Sequence, residues 1–156
     1  MYEALLVVHI LAVIITFGVT FTYPVWEVAA RRDGARSIPY YLRVNRMLDR
    51  RVTSPGVGVV LLAGIGLVLV GGFSFGDPWI SAALLIVIVL GGLAGAFFIP
   101  NATKLIELAE RDIAAAGSGE VTLSEEFERG AKLRARVGGF AGLLVVVALV
   151  LMVVKP

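Results

Sequence analysis

The 156-residue sequence has no cysteine, which excludes disulfides, thiolate metal sites, iron–sulfur clusters and thiol nucleophiles. Glutamine is absent too, asparagine occurs only at Asn45 and Asn101, and His9 is the one histidine. There is no Gly-rich phosphate loop, HExxH helix or nucleophile elbow, and no pair of carboxylates inside an apolar run. An enzyme is therefore not the expectation. Charge is scarce at 17%, against about 25% in ordinary domains. The net charge of +2 gives no basic surface for nucleic acid.

What fills the sequence instead is hydrocarbon. Hydrophobic residues make up 58% and the mean hydropathy is +0.91, so the expected solvent is lipid. A helix needs roughly 20 apolar residues to cross a bilayer core of about 30 Å. Four stretches meet that length or nearly so: 4–26, 55–75, 79–100 and 137–154. The first has Glu3 where a signal peptide would be basic, and its apolar run is long, so it reads as a retained helix. The expectation is one domain over residues 1–156, an all-α bundle of four transmembrane helices.

Thirteen of the fourteen Lys and Arg residues lie in segments 27–54 and 101–136; the other is Lys155. Short basic loops stay in the cytoplasm, which places both termini and the 74–77 hairpin outside. The expected location is the inner membrane of a bacterial cell. Ser54 with Pro55, and Asp77 with Pro78, read as helix starts.

Both loops carry helical patterns. Over 40–52, Tyr41, Val44, Leu48 and Val52 share an arc opposite Arg43, Arg46 and Arg50. That is either a short amphipathic interfacial helix whose arginines meet lipid headgroups, or a connector helix packed on the bundle base. In the second loop, 101–116 continues the third span until Gly117, Ser118 and Gly119 break it. Thr122 with Glu125 then suggests a capping box, and Glu125 with Arg129 and Glu128 with Lys132 suggest supporting pairs. The result is a cytoplasmic helical hairpin.

Gly91 with Gly95 and Gly138 with Gly142 have the spacing that lets helices approach closely in lipid, within one bundle or across a homodimer seam. On the first helix His9, Thr16, Thr20, Tyr23 and Glu27 fall within about 60° of one another, a polar stripe that has no partners in lipid. Pro24 frees the carbonyl of Thr20 in that helix. The stripe is the candidate lining of an internal site for a small solute, an ion or a lipophilic ligand. His9 has a competing structural role, bonded to a group on a neighbouring helix.

The run from His9 through Thr16, Phe17 and Gly18 to Tyr23 and Pro24 resembles the first helix of two groups of small bacterial membrane proteins. One is the HemJ-type membrane protoporphyrinogen oxidase. The other is a domain-of-unknown-function family of predicted integral membrane proteins, also similar in the Gly64, Gly66 and Gly71 span leading to Asp77, Pro78 and Trp79. The HemJ-type resemblance implies a haem or porphyrin protein with His9 as the iron ligand, the one metal role His9 would have. With one histidine, a bis-histidine haem would need His9 from two copies. A third reading is an accessory subunit of a membrane complex, docking through the basic face of the first loop.

The charge asymmetry gives a topology test that the cysteine-free chain makes clean. Single cysteines at Ser74 and Ser118 should label oppositely in intact cells, with only the former accessible from outside. Equal or reversed labelling would overturn this orientation.

Overall fold

In the computed structural model, which describes residues 1–155, the chain is helical throughout, with no strand among the described residues. The helices are α1 (Tyr2–Gly18), α2 (Tyr23–Asp33), α3 (Ile38–Leu48), α4 (Ser54–Gly71), α5 (Pro78–Gly92), α6 (Ile99–Ala116) and α7 (Glu125–Val154). They join into four rods long and apolar enough to cross a membrane: Tyr2–Asp33, Ala35–Gly71, Pro78–Ala116 and Glu125–Val154.

The second rod has 37 residues and the third 39. At 1.5 Å per residue each approaches 60 Å, about twice the bilayer core. All four therefore project well beyond the lipid at the end that carries the charged loops, the charged end. There Ile38, Leu42, Leu105, Ile106, Ala109 and Phe127 form a second apolar core. Within the spans, Phe17, Val57, Val60, Val87 and Leu90 pack as the membrane core.

The prolines explain the joints. Proline cannot donate to the carbonyl four residues back and its ring clashes with that group, so a continuing helix must change its winding locally. Short 3₁₀ turns at Val19–Thr22 and Ala35–Ser37 end two residues before Pro24 and Pro39. Wider π turns at Asp49–Thr53 and Leu93–Phe98 end two residues before Pro55 and Pro100. The carbonyl of Thr20, expected to be free, accepts the Tyr23 N–H within such a turn. Ser54 and Pro55 do start α4, but at a joint inside a continuous rod, and the Ser54 hydroxyl caps nothing and is buried without a partner.

The 40–52 segment is helical as expected but runs straight into the second span; the expected arc of Tyr41, Val44, Leu48 and Val52 is only half-buried, and the buried positions are Leu42, Asn45 and Asp49, with α6 alongside. That arrangement is the packed-connector alternative; the helix does not lie separately along the interface. At the second turn, Ser124 rather than Thr122 caps α7, accepting from the Phe127 N–H at 3.4 Å. The Ser124 N–H donates to Asp112 at 2.7 Å, which holds that carboxyl below its usual range. Glu125 pairs with Arg129 at 3.8 Å, but Glu128 reaches Arg31 at 2.9 Å in place of Lys132. At the opposite end, Gly72 adopts φ 72 to stop α4, and the Asp77 carboxylate accepts the Ser74 N–H at 3.1 Å to close the hairpin.

The close helix contacts are not made mainly by the two glycine pairs. A Cβ at Gly91 would lie 3.1 Å from Val57 and one at Gly142 3.6 Å from Phe21, while Gly95 and Gly138 face nothing within 4 Å. The tight approach is α1 on α4, where Gly56 leaves room for Thr16 and Gly64 for the His9 ring. Gly56→Leu should therefore force α1 from α4 at a cost of about 1–3 kcal/mol. Gly138→Leu should be near neutral, and thermal unfolding of both variants in detergent checks the contrast.

Candidate functional site

Because the stripe was read on one continuous helix, its residues were expected to share one surface. The structure distributes them over three surroundings. His9, 8% exposed, lines a half-enclosed cavity of about 230 Å³ at the hairpin end, between α1, α4, α5 and the end of α7. Thr16, 1% exposed, is packed against α4 at Gly56, and the Thr20 hydroxyl donates to the Phe17 carbonyl of its own helix at 2.7 Å. Neither lines the cavity. Tyr23 and Glu27 belong to the charged end.

The imidazole has a defined tautomer. Its Nδ1 is 3.1 Å from the Val60 carbonyl, which can only accept, so Nδ1 carries the proton and donates. In the neutral ring Nε2 is then an acceptor, and it has no partner among the described residues. Gly64 makes this placement feasible, since a Cβ there would stand 3.3 Å from Cε1 and 3.6 Å from Nδ1. Apart from Tyr2 and Lys155 the rest of the wall is apolar, including Leu6, Leu67, Trp79, Ala83 and Met152. Its floor, at Val60 and Val87, is the apolar core with Phe17, Val57 and Leu90.

That core separates the cavity from a second polar centre. Asp49, 3% exposed, accepts from Arg134 Nη2 at 3.2 Å through one oxygen and from the Tyr23 hydroxyl at 3.1 Å through the other. Arg134, 9% exposed, also donates through Nη1 to the Phe98 carbonyl at 2.7 Å and stacks 5.1 Å over the Phe98 ring. Each of the four rods contributes one group. The two π turns meet here, as such turns often do at specialised sites. Around the pair Asn45 Nδ2, Thr53 Oγ1 and Ser54 Oγ on the second rod are buried without hydrogen-bond partners, as is Asn101 Oδ1 on the third. Thr53 sits beside the Tyr23 hydroxyl without reaching hydrogen-bond geometry.

Neither Asp49 nor Arg134 stood out in the sequence. One signal was present: Asp49 is the only acid from Gly34 to Gly76, in a stretch whose other charged residues are all basic. Glu27 accepts from Arg31 at 3.1 Å, and Arg31 continues to Glu128, which ties the first rod to the fourth. Of the arginines expected at headgroups, Arg43 pairs with Glu110 and Arg46 donates to Thr103 at 3.1 Å. Arg50 is exposed and makes no ion pair among the described residues, as do Arg51 and Arg136.

A family model decides the relationship. The chain belongs to the DUF2269 family of predicted integral membrane proteins, matched over residues 3–156. Neither a curated protein nor a solved structure matches it. Nothing in the family match connects this DUF2269 member with the HemJ-type oxidases. The cavity bears on the haem that the resemblance implied. Nε2 of His9 has the chemistry of an axial ligand, but about 230 Å³ is below the ~300–1,000 Å³ that drug-sized ligands occupy, so the cavity does not enclose a porphyrin macrocycle. No cluster of three or more His, Asp or Glu suited to a metal ion occurs among the described residues.

The ion pair can be tested by its asymmetry. Arg134→Leu should strand a buried carboxylate and cost about 3–5 kcal/mol, and Asp49→Leu should cost a similar amount. The double variant should recover much of that loss. Additive losses in thermal unfolding would show that the two side chains act independently.

Proposed function

We propose that this membrane protein binds a small lipophilic molecule in the cavity beside His9. The observation that carries the reading is one polar acceptor, Nε2, on the wall of a chamber whose other lining is apolar apart from Tyr2 and Lys155. Pockets that hold lipophiles combine an apolar lining with a few polar groups that fix orientation. An apolar cavity of 150 Å³ accommodates benzene, so about 230 Å³ suits a somewhat larger molecule. A ligand hydroxyl or N–H would donate to Nε2. The packed Phe17, Val57, Val60, Val87 and Leu90 layer argues against a solute or ion pathway, because it leaves no polar route to the Asp49 centre.

With the basic segments in the cytoplasm, the cavity lies in the outer half of the membrane. Arg50, Arg51 and Arg136 then reach anionic headgroups of the inner leaflet, at about 1 kcal/mol each. An accessory role would use the same basic border, but no particular contact favours it.

Protein purified from its native membrane should release a lipophilic compound on solvent extraction, detected by mass spectrometry. Gly64→Leu, which fills the cavity and displaces the imidazole, should abolish its recovery. His9→Ala should weaken binding about threefold to tenfold, the loss of one hydrogen bond of ~0.5–1.5 kcal/mol. The preparation should be colourless in the visible range; a Soret band would overturn the reading in favour of a porphyrin. Equal recovery from wild type and Gly64→Leu would place the compound elsewhere on the protein.

A further inference from the structure

At the cavity rim stands the one Lys or Arg that the chain keeps away from its charged end. Lys155 follows the last turn of α7 in a left-handed conformation, φ 49, and lines the cavity mouth with Tyr2, Phe73 and Trp79. Its Nζ lies 4.9 Å from the centroid of Phe73 and 5.7 Å from that of Trp79, and those two rings pack edge to face at 5.6 Å. Both distances are within cation–π range.

Acids are available at the same end, yet among the described residues none pairs with Lys155 within 4 Å. Asp77 is engaged by the Ser74 N–H in the hairpin, and Glu3 is exposed with no ion pair. Among the described residues the ammonium is thus held on aromatic faces and not on a carboxylate, at the opening of an apolar chamber. Aromatic faces attract a cation more weakly than a carboxylate does in a partly desolvated place. A ligand with an apolar body in the chamber and an acid group at the mouth would give the ammonium a stronger, charge-assisted partner. A neutral ligand of the same shape would not.

Resting on the lipophile-binding reading, we propose that the cavity selects small lipophilic acids. Lys155 pairs with the acid group at the rim while the hydrocarbon body fills the space beside His9. Phe73 and Trp79 hold the ammonium in place before the acid arrives, so little side-chain freedom is lost on binding.

Trp79 is a built-in reporter, since the other tryptophan, Trp26, is on the first rod near the charged end and is exposed. In a Trp26→Phe protein in phosphatidylcholine discs, 2-bromooctanoate and its neutral methyl ester are titrated as contact quenchers of Trp79. Each is referenced to its own partition into empty discs. The anion should quench at a concentration at least tenfold lower than the ester. Lys155→Met should bring the anion down to the level of the ester without changing the ester itself, and Lys155→Arg should restore the preference.

Equal quenching by the two probes in the parent protein, or a preference that survives Lys155→Met, would overturn acid selection and leave lipophile binding standing. Failure of both probes to quench, or ester quenching unchanged by Gly64→Leu, would overturn the cavity reading itself.

Discussion

The Asp49–Arg134 pair is the contact on which the arrangement of the four rods depends. Around its 3.2 Å contact Tyr23 and the Phe98 carbonyl are also engaged, so every rod is fixed at one level. Between helices in lipid the hydrophobic effect provides no association force, and packing and polar contacts must hold them together. A buried ion pair is not by itself strongly stabilising against an apolar replacement. Its value here is geometric: two charges that cannot be left unpaired in a nonpolar surround fix the register of the second rod against the fourth.

The prolines bring these groups to that level. Each π turn inserts extra backbone just ahead of Pro55 or Pro100, which rotates the following helix relative to the preceding one. The turn containing Asp49 and the turn ending at Phe98 face one another. Backbone groups that a proline would leave unpaired are absorbed by the altered winding, the solution open to a chain that lacks water as a partner.

The same bundle is divided along its length by what its interior will solvate. At the charged end the interior holds an ion pair, a phenol and several hydroxyls and amides; in the middle it is Phe, Val and Leu; at the hairpin end it opens beside His9. An imidazole bonded through Nδ1 to a main-chain carbonyl is a satisfied structural group on one side and a free acceptor on the other. The two roles weighed for His9 therefore coexist in one ring. The small residue that permits them is Gly64, on the helix opposite.

The sequence by itself determined the four spans, the separation of charged loops from apolar rods, the hairpin at Ser74–Asp77 and the helical nature of both loops. Hydropathy over about 20 residues and the distribution of Lys and Arg are local quantities, set by how each segment interacts with lipid or water. The polar stripe on the first rod was equally legible, because helical periodicity places side chains on a face. What lies opposite that face is set by other helices. Only the tertiary structure decided that His9 meets Val60 and Gly64, that Thr20 turns back on its own helix, and that Tyr23 finds Asp49. Asp49 and Arg134 are 85 residues apart, and although Asp49 is the one acid of its segment, nothing in the mixed charges around Arg134 marks it as the partner. Their pairing arises from the relative rotation of two rods, which the π turn ahead of Pro55 sets and no window of local sequence encodes.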